Sequence, residues 1–358
     1  MGTIVTQAYK AIENIVGSRY ISDDPAIMQG YKSGPGGYEA GLGYERVMTV
    51  LPAAVALPKD ADELQRIVKI CARYNVPYVP YATGFYGPKT HCHVDDELII
   101  DMKRMQYFNW DEKHMFADIG PGIIYSSLQQ EAFNKGCYGV IGGGGAQCSA
   151  IANLLGDGWS PISLKIGLPH RRILGTELVL PDGELVKMGS LATSDDPFWG
   201  EGPGPDLRGI LRGFTGLRGC MGTVTRMAVK YLPLIQDCPK PQGVAPNTSL
   251  ALDERRIRWI NFQVPTKANQ VQAMYEIGAA EICAACTKVP VFWRAIAKAE
   301  DKEEFWDIWL KESEESLKNF HLVRVLVVGY ANEEQMDYEL AVLDDIFEKL
   351  EGKKRRTK

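Results

Sequence analysis

No stretch of this chain approaches the roughly eighteen uninterrupted apolar residues that a membrane-crossing helix needs. The opening "MGTIVTQAYKAIENIVG" carries Lys10 and Glu13 where a secretory signal would need a clean apolar core. The reading is a cytoplasmic protein with no membrane span. Charge of one sign is also scarce. A net charge of -5 leaves no electrostatic footprint for nucleic acid. The one dense basic run, Lys353, Lys354, Arg355, Arg356 and Lys358, is terminal and reads as a solvated tail. The 8 cysteines are scattered, without the dense spacing of a secreted disulfide scaffold, so free thiols are expected. No internal repeat is visible.

What is present is length and glycine. A chain of 358 residues has room for two domains, each with its own apolar core, and 45% apolar with 24% charged residues is a soluble, globular composition. The 36 glycines and 20 prolines favour tight turns over a helical bundle. Residues 3–17 show helical spacing, and residues 1–46 read as a lead-in rather than a domain. From Val47 the chain alternates. "RVMTVLPAAVALP" is a strand, "DADELQRIVKICARYNV" a helix with an acidic first turn, and "PYVPYATG" a strand running into a glycine loop. "ELIIDM" and "MFADIGPGI" add strands, with a helix at "IYSSLQQEAFNKG". "RRILGTELVLPDGELVKMG" is a hairpin around Pro-Asp-Gly, and "GTVTRMAVKYLPL" another strand. Residues 236–254, rich in Pro, Asn and Ser, read as a linker. Beyond it, "IRWINFQVP" and "LVRVLVVGY" are strands, and helices are expected over 266–286, 302–318 and 332–351.

The segment "GVIGGGGAQCSAIANLLGDGWSP" raises the functional question. A P-loop needs a lysine and a hydroxyl residue directly after its glycines, and here Ala146, Gln147 and Cys148 follow. A nicotinamide-type turn needs Gly-x-Gly-x-x-Gly between strand and helix, and that spacing is absent. Two readings remain. The loops holding Gly84 and Gly87, the glycines at 142–145, and Gly156 with Gly158 either bring backbone amides to a diphosphate and a flat ring, or make sharp turns in a crowded core.

Order along the chain then adds a family. "AVALPKDADELQRIVKICARYNVPYVPYATGFYG", "IGPGIIYSSLQQEAF", "CSAIANLLGDGWSP", "RILGTELVLPDGELVKMG" and "PDLRGILRGFTGLRGCMGTVTRMAVKYLP" follow a first segment, "IVGSRYISDDPAIMQGY". Together they resemble the FAD-binding half of the vanillyl-alcohol oxidase and p-cresol methylhydroxylase superfamily, which includes glycolate-oxidase-like FAD-linked subunits. The resemblance runs from about Ile15 to Leu234. It implies an α+β fold in which two small α/β subdomains over 47–235 clasp an extended FAD, followed by a partial, ferredoxin-like substrate cap over 255–358. It also implies that Tyr81, Ala82, Thr83, Gly84, Phe85, Tyr86 and Gly87 wrap the diphosphate. Pro121, Gly143, Ser149, Ala150, Asn153, Gly156 and Gly158 would line the cofactor, and Gly222, Thr223 and Val224 would meet the ring edge through backbone atoms.

Tyr86 lies where phenol-oxidising relatives place a tyrosine on the substrate oxygen, and it either does so here or packs beside the flavin. His170 in "GLPHRR" is a proton carrier or a structural histidine. His91 and His93 share one strand face, but too few further ligands lie nearby for zinc, and no metal is expected. Cys283 and Cys286, a single Cys-x-x-Cys in an apolar helix, read as core residues. No carboxylate precedes Ser149 where phenol-oxidising relatives carry one.

The cap is shorter than the family's. Its two expected strands would leave an apolar sheet edge open to pairing, so the missing half is expected from a partner subunit, a second copy or a further stretch of the natural protein. The function implied is an FAD-dependent oxidoreductase subunit. It would take hydride from a small-molecule alcohol, hydroxy acid or phenolic benzylic carbon and pass electrons to a partner or carrier. The alternatives are a flavin-binding scaffold subunit without turnover, and a non-redox flavin transferase.

Overall fold

Four short strands, β1 (Ile21–Ser22), β2 (Ala54–Ala56), β3 (Tyr78–Tyr81) and β4 (Leu98–Asp101), make the first sheet in the order β1-β2-β4-β3. Both β2 and β4 are buried along their whole length, as strands covered on both faces must be. Helices α1 (Thr6–Val16) and α3 (Ala61–Tyr74) cover one face, where Ala8, Ile12, Leu64 and Ile67 pack with Ala54, Ala56, Leu98 and Ile100. On the other face Met28 of α2 (Pro25–Lys32) meets Val55 and Ile99. The start of α3 is fixed by its own sequence. Asp60 accepts from the Glu63 amide at 2.9 Å, and Glu63 accepts from the Lys59 amide at 2.9 Å. Strands β2 and β3 both run parallel to β4, so Ala56, Tyr81 and Asp101 end on the same edge of the sheet.

The chain then crosses to a second, antiparallel sheet. Its strands are β5 (Phe108–Asp111), β6 (Phe116–Ile119), β8 (Ile173–Val179), β9 (Leu185–Gly189) and β10 (Thr223–Lys230), in the order β5-β6-β10-β8-β9. A short pair, β7 (Cys137–Tyr138) and β11 (Leu232–Pro233), lies apart from it. Helices α4 (Tyr125–Asn134) and α5 (Ala150–Leu155) bury Leu128, Ala132, Ile151 and Leu154 against Ile119, Ile173 and Met227. The Pro-Asp-Gly turn joins β8 to β9 as expected, with the Gly183 amide donating to Leu180 O at 2.9 Å. In the single turn α7 (Arg208–Leu211), Arg208 is 2% exposed and donates to Ile173 O at 2.8 Å and Leu174 O at 3.0 Å. A buried carboxylate is also matched: Asp118 of β6 takes a forked contact from Arg226 of β10.

This computed structural model describes residues 4–32, 51–84, 94, 96–139, 145–155, 160–192, 208–211, 221–244, 247–288, 291–319 and 321–355. Phe85, Tyr86, Gly87, His91, His93, Gly143, Gly156 and Gly158 lie outside the described residues. The chain divides into two units. Unit 1 holds both sheets above and spans Met1–Trp159 and Pro169–Pro233; unit 2 is Ser160–Leu168 with Leu234–Lys358.

Unit 2 has an antiparallel sheet of β14 (Ile257–Val264), β15 (Ala285–Thr287), β16 (His321–Val328) and β17 (Lys353–Arg355), ordered β15-β16-β14-β17. Helices α8 (Lys267–Ala279) and α11 (Glu333–Lys349) cover one face, where Ala273, Ile277, Leu343 and Phe347 pack on Phe262, Val323 and Val325. The helices α9 (Val291–Lys298) and α10 (Lys302–Asn319) pack on one another. The segment around α6 (Ser163–Ile166) joins this unit through Lys165, which bonds Glu339 Oε1 and Glu281 O at 2.9 Å each.

Four sequence expectations change. The 1–46 lead-in contributes α1 and β1 to the unit 1 core. The 236–254 linker carries a hairpin, β12 (Pro241–Val244) with β13 (Asn247–Leu250). The cap sheet has four strands rather than two. Its edges are the three-residue β15 and the basic β17, so the basic run read as a solvated tail is in part an edge strand. Charged, short edges resist further pairing, which removes the apolar edge from the argument for a completing partner. The helix expected over 266–286 ends at Ala279. Cys283 then lies in a turn with a φ of 66°, and Cys286 lies in β15.

Two outcomes test this core. Ile12→Ala should cost about 2–5 kcal/mol in denaturant unfolding of the full chain, because Ile12 is wholly buried; a detachable lead-in would cost nothing. Burial pushes the thiols of Cys71, up to about 12, and Cys286, up to about 11, well above the ordinary range. Their thiolate fraction at pH 8 is therefore minute. In native-state alkylation read by peptide mass spectrometry, exposed Cys238 should label first and Cys71 and Cys286 only on unfolding.

Candidate functional site

The crossing between the two sheets of unit 1 creates the site. Strand β3 leaves its sheet at Tyr81 and β4 at Asp101, adjacent parallel partners, so residues 81–84 and 101–106 emerge side by side. Carboxyl ends of parallel strands are where open sheets take ligands. On the far bank, Gly120 N donates to Tyr107 O at 2.8 Å and Gly122 N to Met105 O at 2.9 Å, which holds residues 120–124 against the crossing segment. The resulting cleft has a volume of about 430 Å³ and is lined by Tyr81, Ala82, Thr83, Lys103, Gln106 and residues 122–124, with Ser127 of α4.

Ser149 ties the third segment in. Its amide donates to Thr83 Oγ1 at 3.2 Å, its hydroxyl donates to Pro121 O at 3.2 Å, and it bridges Ile124 as an isolated β-pair. Ala150 N donates to Ile123 O at 2.9 Å and Tyr125 N to Cys148 O at 3.0 Å. The structure thus brings together Tyr81, Ala82, Thr83, Gly84, Pro121, Ser149 and Ala150. Asn153, one turn into α5, hydrogen-bonds the Cys148 thiol, whose pKa is nonetheless raised by burial.

Two glycines are required by geometry. Gly84 has a φ of 64°, and a Cβ there would collide with the Tyr81 ring. Gly222 has a φ of 151°, and a Cβ would lie 2.5 Å from Val179 O. Thr223 follows at the start of β10, 3% exposed, with a hydroxyl that finds no hydrogen-bond partner among the described residues. Such a group is a candidate for a ligand contact. The register of β10 against β6, with Met227 opposite Ile119, puts Gly222, Thr223 and Val224 at the end of the sheet where β6 runs on into residues 120–124.

His170 is placed elsewhere. It sits in the turn Pro169–Arg172, just before Ile173, and β8 runs six residues from there to Val179, the partner of Thr223. That is about 20 Å of strand. The sequence reading missed Lys103, Gln106 and Ser127. Lys103 had a usable signal, since it directly follows the predicted strand "ELIIDM", at the carboxyl end where a ligand-facing group belongs.

These residues suit an extended anionic dinucleotide. The cleft offers one cation, hydroxyls and main-chain amides, and no carboxylate among its lining residues. Thr83→Val should cost about 1–3 kcal/mol in denaturant unfolding, because it strands the amide of Ser149, a residue only 2% exposed. Thr83→Ser, which keeps the acceptor, should restore most of the loss; equal losses in both would show that the bond does not hold the segments together.

Comparison with known proteins agrees with this geometry. The family described as "FAD binding domain" matches residues 52–189. Glycolate oxidase subunit GlcD of Bacillus subtilis is 29% identical over 185 residues, which is 51% of this chain and 37% of that protein. The mitochondrial cytochrome D-lactate dehydrogenase of Arabidopsis thaliana is 26% identical over 235 residues, 59% of this chain and 39% of that protein. The match therefore spans about two fifths of the length of these relatives. Among solved structures, substrate-bound p-cresol methylhydroxylase superposes with a TM-score of 0.71 at 16% identity, over 98% of this chain and 66% of that one. Residues 52–189 thus match a domain that binds FAD, which supports FAD as the cofactor, and the chain has the α+β fold of p-cresol methylhydroxylase.

Proposed function

We propose that this chain is an FAD-dependent oxidoreductase subunit that oxidises a 2-hydroxy acid and passes the electrons to a partner protein or carrier. The observation that carries the reading is a cleft lined by residues 81–83 and 122–124, with Ser149 hydrogen-bonded to both flanking segments, within a stretch that matches the FAD-binding family. FAD, when bound, supplies the two-electron oxidation of the substrate carbon, and the protein supplies position and electrostatics. Tyr81, Ala82, Thr83 and Gly84 would hold it from one side, with Pro121, Ser149, Ala150 and Asn153 from the other. Gly222, Thr223 and Val224 would meet it through main-chain groups and the Thr223 hydroxyl. Tyr86, two residues beyond Gly84, is the proposed partner of the substrate oxygen.

Two observations favour a 2-hydroxy acid over a phenol. Glycolate and D-lactate, the substrates in the names of the sequence relatives, are both 2-hydroxy carboxylates. Unit 2, taken by itself, carries a row suited to a carboxylate. Thr287, Arg324, Asn261 and Arg355 are direct cross-strand partners on β15, β16, β14 and β17, so their side chains share one face, opposite the face that α8 and α11 cover. Arg324 stacks over the Trp259 ring at 4.4 Å, and burial holds its pKa below the ordinary guanidinium value. Its Nε is buried with no hydrogen-bond partner among the described residues. A stacked guanidinium with an unmet donor matches the planar oxygens of a carboxylate.

The purified chain should be yellow or take up added FAD, and D-lactate or glycolate should bleach it anaerobically where p-cresol does not. Colourless protein that ignores FAD removes the reading; bleaching by p-cresol alone removes the substrate class. Arg324→Met should raise KM for the hydroxy acid roughly 10- to 100-fold, the loss of a charge-assisted contact. Steady-state turnover with an artificial acceptor decides between a catalytic and a scaffolding subunit.

A further inference from the structure

Among the described residues that line the cleft, Lys103 is the one that carries a charge. Its backbone is fixed by a short turn in which its amide donates to Asp101 Oδ1 at 3.0 Å. Its side chain is half exposed, yet the ammonium is anchored, with Nζ 2.7 Å from Asp101 Oδ2 and 3.3 Å from the Tyr31 hydroxyl. Asp101 is completely buried, and Tyr31 donates to the same Oδ2 at 2.7 Å. Burial, with the Asp101 hydrogen bond second, raises the Tyr31 phenol far above its usual range, so it keeps the proton it donates. Tyr31 is itself braced edge-on by Tyr81 at 5.2 Å, and Tyr81, the last residue of β3, lines the same cleft.

A free lysine would sweep solvent on a four-carbon stem. Here Asp101 and Tyr31 occupy two of its three N–H donors and fix its direction, and no described residue takes the third. A buried carboxylate needs a cation, but stability alone does not require that cation to line a cleft. An anion bound there would meet an ammonium already oriented and would pay little to order it.

We propose that Lys103 is a diphosphate-binding residue of the FAD site, and that buried Asp101 and Tyr31 are the positioning residues that aim it into the cleft. The inference rests on the FAD reading above and adds to it a residue and a role for α2. The N-terminal helix carrying Tyr31 would then serve the cofactor as well as the core.

The test compares FAD with riboflavin, which lacks the diphosphate, in equilibrium binding to the apoprotein followed by flavin fluorescence. Lys103→Met should weaken FAD roughly tenfold or more, leave riboflavin unchanged, and flatten the dependence of FAD affinity on salt. Lys103→Arg should recover most of the affinity, and ADP should compete with FAD on the native protein better than on Lys103→Met. Tyr31→Phe, a milder change, should show a smaller loss with the same selectivity for FAD over riboflavin. It keeps the test decisive if Lys103→Met unfolds. Equal FAD affinity in native protein and Lys103→Met, or parallel losses of FAD and riboflavin, would overturn the role of Lys103 while leaving the FAD site standing. Native protein that binds no FAD would overturn both.

Discussion

The architecture of unit 1 depends on the hydrogen bonds of one buried residue. Ser149 donates from its amide to Thr83 and from its hydroxyl to Pro121, and so joins the loop after a parallel strand to the loop after an antiparallel one. Neither loop has a regular partner of its own at that point. Without these bonds the Ser149 amide and the Pro121 carbonyl would be left unmet, where each costs about as much as a lost hydrogen bond. A small hydroxyl residue suits the position because a longer side chain would enter the space that the convergence creates.

Charge follows the same logic on a larger scale. Four buried ions among the described residues have fixed partners: Asp118 has Arg226, Glu339 has Lys165, Asp101 has Lys103, and Arg208 has two main-chain carbonyls. Breaking any of these pairs would leave an uncompensated buried charge, which is far more costly than the pair is stabilising. Thr223 and Arg324 are among the buried side chains with a donor that finds no hydrogen-bond partner in the described residues. One lies at the sheet end that the cofactor reading uses, and the other on the face of the unit 2 sheet turned away from α8 and α11.

Much of the fold was legible in the sequence. The acidic start of α3, the Pro-Asp-Gly hairpin and the apolar strand at "ELIID" each carry their cause within a few residues, and they appear within a residue or two of where the pattern put them. Part of the site was legible for the same reason. The stretch from Tyr81 to Gly84 and the pair Ser149 and Ala150 sit in motifs of glycine and small residues that are local by nature. The errors concern partners distant in sequence. Strand β17 looks like a charged tail until β14 supplies its hydrogen bonds, and Ser160–Leu168 looks like part of the first unit until Lys165 reaches Glu339.

The sequence by itself carried the motif resemblance, with the α+β class it implies, and the glycine turns that let backbone approach a cofactor, because short motifs, capping and φ preference act over one or two turns of chain. Tertiary structure alone decided which loops share a cleft, that His170 lies at the other end of β8 from the partner of Thr223, and that Lys103 is aimed by Tyr31. Those facts follow from strand register and from side-chain bonds spanning dozens of residues. Register changes which groups meet without changing any local pattern, so no reading of neighbours along the chain contains it.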